Sequence, residues 1–294
     1  MSELTTINSN NYELMSQMMG VAADSKQESK ASLSRLRIVK KPIMGETNVD
    51  GKNMKIEVVS GGSYGMSDTD NNMVYSDSVL FRPYLQRFSY QRYNNEKNKY
   101  TKTVMAADLN KDLNDTSGGF NCGKPSGYIK DFDGLSNDMK EIIRSVRRVR
   151  VMFGEVSVPN GITAEGDAQP LENIPCIWEL DSKEGFKNMG DAFANLAKHR
   201  RLPIHHMFNL TTERKELPTG ATYFVPVCSV DVNDVHEITP ENEQVFNSFL
   251  SYIENYNQWV MSEFNKEADV VIPESKTSDQ FIDAFLETSD EDAA

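Results

Sequence analysis

The chain has 294 residues and a formal net charge of −13, and its length can bury the core of one large domain. Its three cysteines (Cys122, Cys176 and Cys228) lie far apart and form no CxxC pair, which argues against a disulfide framework and indicates a reducing compartment. We expect no signal peptide and no membrane contact, because no basic start precedes an apolar run and no apolar stretch reaches the roughly 20 residues of a membrane span.

The beginning of the chain, residues 1–34, is rich in Ser, Asn, Gln, Met and Lys and is predicted to be a flexible segment. One core domain is predicted over residues 35–268. It begins with a strand in "LSRLRIVKK", and the strands that follow are separated by turns at Asp50-Gly51 and Gly61-Gly62.

The next stretch, "FRPYLQRFSYQRYNNEKNKY" (residues 81–100), concentrates aromatic and basic side chains. It holds six aromatic residues and five basic ones against a single acid. Its pattern predicts a long β-hairpin with a turn in "NNEKN" and a returning strand in "KYTKTVMA". Because side chains alternate along an extended strand, five residues are expected to share one face: Arg82, Tyr84, Phe88, Tyr90 and Arg92.

The rest of the core alternates between helix and strand patterns. A glycine-rich loop, "NDTSGGFNCGKPSGYIKDFDG", precedes a predicted helix, "SNDMKEIIRSVRRVR", which Ser136 caps. Strands follow in "VRVMFGEVSVP" and "IPCIWEL", then a helix in "KEGFKNMGDAFANLAKHRR" and two strands joined by a turn at residues 218–220. The last predicted helix covers residues 240–265, with Thr239 as its N-cap and Pro240 in its first position.

These elements predict a mainly β fold with added helices. Short strands in hairpins are compatible with an elaborated five-stranded barrel of the OB type or with a related mixed sheet. After the last helix, residues 269–294 are predicted to form a disordered acidic tail.

Charge is unevenly distributed along the chain. Residues 79–150 contain fourteen Lys or Arg against eight Asp or Glu, whereas residues 263–294 contain two lysines against ten acids. A basic middle followed by an acidic end indicates a protein that binds a polyanion and carries an acidic tail.

The sequence lacks the motifs of common catalytic sites. It contains no GxxxxGK[ST] phosphate loop, no GxSxG elbow and no HExxH zinc motif. We therefore expect a protein that is not an enzyme and needs no cofactor. No metal site is predicted, since the sequence shows no close pairs of zinc ligands, although a zinc site built from the cysteines and His199 is left open.

Rings and cations on one strand face are what single-stranded nucleic acid requires. Unstacked bases lie on aromatic faces, worth roughly 1–3 kcal/mol per base, while cations follow the phosphates. The predicted contacts come from the hairpin, the glycine-rich loop and the arginine cluster that ends at Arg150: Arg82, Tyr84, Arg87, Phe88, Tyr90, Arg92, Tyr93, Lys97, Lys99, Tyr100, Lys102, Lys124, Tyr128, Arg144, Arg147 and Arg148. In the alternative interpretation the rings pack in the core and the cations form a solvated face.

The predicted tail combines acids with a small apolar patch. Phe281, Ile282, Phe285 and Leu286 lie among acids that include Asp283. This pattern is typical of a short segment that becomes ordered on a basic, apolar partner groove. The tail also carries the charge to compete with nucleic acid for the chain's own basic residues.

A core of aromatic and basic strands followed by an acidic tail with a few hydrophobic residues resembles the single-stranded DNA-binding proteins of bacteriophages. The resemblance rests on layout from about Leu36 to Ala294 and implies an OB-fold core that binds the strand. It also implies a tail that recruits a polymerase, helicase or primase. The chain does not end in a terminal Phe or a long Asp run, as some members do, and it lacks the grouped zinc ligands of one phage branch.

We therefore expect a protein that coats and protects single-stranded DNA, with little sequence preference, in viral DNA replication, recombination or repair. Its expected location is the cytoplasm of the infected host cell, and self-association is possible. The alternative is a phage structural or assembly protein whose aromatic strands form a subunit interface. RNA binding would use the same surface, so the sequence does not separate RNA from DNA.

Overall fold

The computed structural model describes residues 33–49, 52–95, 98–127 and 129–271. All of its described strands and helices belong to the compact unit that begins at Ser34. The predicted flexible segment lies almost wholly outside the described residues, as do the tail residues Phe281, Ile282, Asp283, Phe285 and Leu286. The division into three parts stays a prediction.

The described residues form eleven strands and three α-helices. The strands are β1 (Ser34–Ile38), β2 (Ile43–Val49), β3 (Lys52–Val59), β4 (Tyr64–Ser67), β5 (Met73–Ser76), β6 (Val79–Asn94), β7 (Lys99–Lys102), β8 (Arg147–Val158), β9 (Leu171–Leu180), β10 (Phe208–Glu216) and β11 (Thr222–Val230). The helices are α1 (Asn137–Ser145), α2 (Lys183–Lys198) and α3 (Pro240–Val271).

Nine strands form one mixed sheet in the order β11-β10-β6-β8-β9-β1-β4-β5, with β7 also paired to β6. Only the β1–β9 pairing is parallel among the ladders of this sheet. The prediction of a mainly β fold with helices is confirmed. Tyr64 Oη donates to Thr211 O at 3.0 Å and Thr212 Oγ1 donates to Gly62 O at 2.8 Å, which joins the β4 end of the sheet to β10. Within the described residues no strand ladder closes the sheet into a barrel.

The main core lies on the face of the sheet that α2 covers. Phe81, Met152 and Trp178 are buried there with Met189 and Leu196 of α2. The helix begins where the sequence predicts, because the Ser182 side chain accepts a hydrogen bond from Gly185 N at 3.1 Å. Burial of these large side chains stabilises the fold through the hydrophobic effect.

Helix α3 packs on the opposite face of the sheet. Phe249 contacts the rings of Tyr84 and Phe153, with centroid distances of 5.7 and 5.6 Å. The predicted cap is present, since Asn242 N donates to Thr239 Oγ1 at 3.4 Å while Thr239 N donates to Asn242 Oδ1 at 2.9 Å.

Helix α1 is shorter than the sequence pattern indicates. It ends at Ser145, whereas we predicted that it would continue through the arginine cluster. Arg144 lies in α1, but Arg147, Arg148 and Arg150 lie in β8. The strand forms there because the β-branched Val149 and Val151 are buried in a ladder with β6. Arg147 and Arg148 therefore point to opposite faces of the sheet.

Along β6, the alternation of side chains between the two faces of the sheet is interrupted next to Pro83. The register with β8 shifts between Pro83 and Leu85, which marks a β-bulge or similar irregularity. Proline cannot donate to a ladder, and such irregularities are where strands accommodate it. Arg82, an even-numbered residue before the shift, therefore no longer shares a face with the even-numbered residues after it.

Candidate nucleic-acid interface

The second half of β6 and the first half of β8 extend beyond the main core and carry a group of rings and cations. Phe88 is opposite Arg150 and Tyr90 is opposite Arg148 in the antiparallel register. Directly paired residues point to the same face, so these four side chains lie together. Phe186, in the first turn of α2, contacts them from above that face.

Two rings and two guanidinium groups contact one another in what we call the stack: Phe88, Arg150, Phe186 and Arg148. The Phe88 and Phe186 ring centroids are 5.8 Å apart. Arg150 Cζ lies 5.2 Å from the centroid of the Phe88 ring and 4.4 Å from that of Phe186. Arg148 Cζ lies 4.1 Å from the Phe186 centroid. Such spacings are those of cation–π contacts, which are stronger where water is excluded.

Arg150 is the buried member of the stack, with a relative exposure of 7%. Its Nη1 donates to Gln86 Oε1 at 2.7 Å, but its Nε is buried without a hydrogen-bond partner. Burial, with a smaller contribution from Arg148, lowers the pKa of the Arg150 guanidinium. A buried cation without an opposite charge is costly, so an anionic ligand is expected to lie nearby.

Lys124 reaches the same face from the glycine-rich loop. Its Nζ lies 5.1 Å from the centroid of the Tyr90 ring. Burial and the charge of Arg148 lower the pKa of Lys124. Burial likewise raises the pKa of Tyr90, which is 8% exposed.

The loop that carries Lys124 is held in shape by two carboxylates. Asp115 accepts from Ser117 N, Gly119 N and Cys122 N at 2.9, 3.3 and 2.8 Å. Asp112 accepts from Asn121 Nδ2 at 2.5 Å and from the Ser126 hydroxyl. Because these acids bind the loop itself, they hold Lys124 in position without forming an ion pair with it.

Arg92 completes what we call the basic cluster: Arg92, Lys124, Arg148 and Arg150. Arg92 lies two residues beyond Tyr90 on β6, and its Nε is buried without a hydrogen-bond partner. Among the residues that the structure describes, no carboxylate forms an ion pair with any of the four. Arg35 and Arg147 differ, because they pair with Glu179 and Asp181 at 3.1 and 2.6 Å.

Two predicted contacts belong to the interior instead. Arg82 is buried, and it donates to the carbonyls of Ile204 and Glu237 at 2.7 and 2.6 Å. Tyr84 is buried against α3, and its hydroxyl donates to Glu155 at 2.6 Å. Our expectation that Arg82 and Tyr84 share a face with Phe88 is wrong, because the shifted register between Pro83 and Leu85 turns them toward α3.

Four further predicted residues lie at the tip of the β6–β7 hairpin, and the register with β6 places Tyr93, Tyr100 and Lys102 on the face opposite the stack. Tyr93 and Tyr100 form an exposed pair with ring centroids 5.0 Å apart, and Lys102 Nζ lies 6.0 Å from the Tyr100 ring. Lys99 Nζ is 3.8 Å from Glu267 of α3. The structure therefore divides the predicted hairpin surface between two faces.

The remaining predicted residues are dispersed. Arg87 donates to Gln86 O at 2.8 Å from the α3 side of β6. Arg144 is exposed in α1, with its guanidinium 5.5 Å from the Phe132 ring, and Arg147 is exposed beside Asp181. Lys97 and Tyr128 lie outside the described residues.

Sequence reasoning missed Phe186 and gave Arg150 no separate role. Phe186 has the helical spacing of a core residue with Met189, but only Met189 is fully buried. The position of Phe186 in the sequence was a sign of its different environment, because it lies in the first turn of α2, shortly after the core strand β9.

Other chemistry is not indicated by the described residues. The cysteines are free, and in this part of the chain no three His, Cys, Asp or Glu side chains are grouped as metal ligands would be. Burial raises the pKa of Cys228 to about 12 and raises those of Cys122 and Cys176 further, so the thiols are unreactive.

No family model, curated protein or solved structure matches this chain, so its site is interpreted from the geometry above. Among the described helices, none combines the length and the apolar character that crossing a bilayer requires.

Proposed function

We propose that the chain is a single-stranded DNA-binding protein, without enzymatic activity or cofactor, that holds the strand on the stack and the basic cluster. The observation that carries this proposal is Arg150, a buried guanidinium in contact with two rings and with no carboxylate partner among the described residues. A phosphate group would supply the missing opposite charge.

The neighbouring side chains supply both kinds of contact that a single strand needs. Arg148 is exposed and lies over Phe186, so its outer plane offers a base the same stacking surface that a ring does. Lys124 and Arg92 flank it as phosphate ligands. Stacking on rings and guanidinium planes requires unstacked bases, which favours single strands over duplex.

Sequence preference is expected to be weak. The cluster is dominated by cations and rings, and rings accept every base because every base has a π-face. Binding occurs despite the net charge of −13, because the four cations of the cluster lie together without acidic partners in the described residues. Affinity should fall steeply with salt as counterions are released on binding.

The finer biological role extends this proposal. The chain would coat and protect single-stranded DNA during viral replication, recombination and repair in the cytoplasm of the infected cell. Its tail would recruit replication proteins such as a polymerase, helicase or primase. The sheet would be an elaborated relative of the OB barrel, and the side-chain bonds from β4 to β10 support that interpretation.

The test compares two adjacent arginines on opposite faces of β8. Arg148→Glu should weaken binding of a fluorescein-labelled oligo-dT at least about 30-fold by fluorescence anisotropy, because it removes one phosphate ligand and adds a repelling charge. Arg147→Glu makes the same charge change away from the cluster and should cost less than about threefold, since exposed ion pairs contribute little.

Equal losses for the two variants would contradict a localised site. No binding of oligo-dT by the unmodified chain would contradict the proposal as a whole and would favour the assembly protein with an aromatic subunit interface. Oligo-U in place of oligo-dT tests RNA with the same variants.

A further inference from the structure

Strands β2 and β3 form a ribbon that stands apart from the main sheet. They pair only with each other among the described ladders. The ribbon exposes large apolar side chains, since Met54 is 52% and Ile56 is 43% exposed. An isolated two-stranded ribbon is marginally stable in water, and at least three strands are normally needed.

Of these two apolar side chains, Ile56 lacks cross-strand support within the ribbon, whereas Met54 is paired with Thr47. Ile56 is opposite Gly45, which offers it no side chain to pack against. Met54 and Ile56 lie on one face of β3 because side chains alternate along a strand. Val58, at the register shift between Met44 and Ile43, lies over Gly45 on that same face. The outer edge of β3 therefore presents an apolar stripe together with backbone groups that no described strand pairs.

When two copies pair along this edge, the charges on β3 favour the register centred at Ile56 over the registers centred on its neighbours. In an antiparallel pairing related by a two-fold axis, each register places one residue opposite its own copy. A centre at Ile56 places Lys55 opposite Glu57 of the second copy, twice, and places Met54 opposite Val58. A centre at Lys55 or at Glu57 places like charges opposite each other, which is unfavourable.

We propose that this edge is a self-association site, at which β3 pairs antiparallel with β3 of a second copy about Ile56. The dimer contains a four-stranded sheet, two reciprocal Lys55–Glu57 pairs and an apolar stripe of six side chains. The β2 edge is less suitable, because a centre at Gly45 places Met44 opposite Glu46. The proposal does not depend on DNA binding, since no residue of the basic cluster takes part.

The test measures mass by sedimentation velocity on the full chain after nucleic acid has been removed. The unmodified chain should form a species of about twice the 33.2 kDa monomer. Glu57→Lys and Lys55→Glu should each weaken dimerisation about tenfold or more, because each places like charges opposite each other at both reciprocal pairs. Glu216→Lys, an equal charge change on exposed β10, should leave the dimer intact.

Mixing the two ribbon variants makes the test specific. One copy then has lysines at positions 55 and 57 and the other has glutamates, so the mixed pair regains complementarity and should dimerise. Circular dichroism and thermal melting of each variant check that the body remains folded. A monomeric unmodified chain, a dimer that Glu57→Lys leaves intact, or a mixture that does not associate would each overturn the proposal.

Discussion

Replacing Arg150 by methionine separates a binding role from a structural one. The substitution keeps an unbranched side chain against Phe88 and Phe186 but removes the buried charge. It also removes the hydrogen bond to Gln86. If Arg150 is a ligand for phosphate, the folded state should tolerate this change while the complex with DNA should not.

Arg150→Met removes an unfavourable desolvation free energy and a favourable contact free energy, and the two are of similar size. The buried charge costs several kcal/mol of desolvation, which methionine does not incur. The losses are two cation–π contacts of about 0.5–2 kcal/mol each and a charged hydrogen bond of about 1.5–3 kcal/mol. The free energy of unfolding should therefore change by no more than about 1 kcal/mol. Loss of a charged contact to phosphate should weaken DNA binding by about 1.5–3 kcal/mol, which is tenfold to about 150-fold.

The assays are urea unfolding followed by circular dichroism and anisotropy titration with oligo-dT over a salt series. In the second assay the slope of log affinity against log salt should fall by about 0.7 for the loss of one phosphate contact. Arg147→Met is the matched control on the other face of β8 and should change neither quantity appreciably. A variant of Arg150 that loses several kcal/mol of stability but binds DNA normally would refute this reasoning.

Three further results are expected. Phe186→Ala should weaken oligo-dT binding about tenfold by anisotropy, whereas Phe186→Trp, which keeps a ring, should stay within about threefold. Tyr84→Phe should cost about 1–3 kcal/mol in urea unfolding through loss of its bond to Glu155, with unchanged DNA affinity. Burial and Arg148 lower the pKa of Lys124, so Lys124 should lose its charge at a lower pH than an arginine would. As pH is raised, the DNA affinity of the unmodified chain should therefore begin to fall at a lower pH than that of Lys124→Arg. Superimposable pH profiles would exclude Lys124 as a ligand.

Much of the element pattern was predictable from local signals. Caps at Ser182 and Thr239 fixed the starts of α2 and α3, and buried β-branched residues indicated β8. The end of α1 was not predictable from local signals, because "SVRRVR" has helical periodicity and also contains the valines that favour a strand. Tertiary pairing with β6 decides in favour of the strand.

The candidate site was only partly predictable, for a physical reason. Side chains alternate between the two faces of a strand only while its register is unbroken. The register shift beside Pro83 turns Tyr84 toward the core. Proline within a strand was the available sign of such an irregularity. Phe186 meets Arg150 across distant parts of the chain, so no local pattern links them.

Photo-cross-linking tests most directly whether DNA lies on the stack. Single-stranded DNA containing 5-bromodeoxyuridine is irradiated with the full chain, and the modified peptides are identified by mass spectrometry. We predict adducts at Phe88, Tyr90 or Phe186 that disappear with Arg148→Glu and persist with Arg147→Glu. Adducts confined to Tyr93 and Tyr100, at the hairpin tip on the opposite face, would contradict the proposed site.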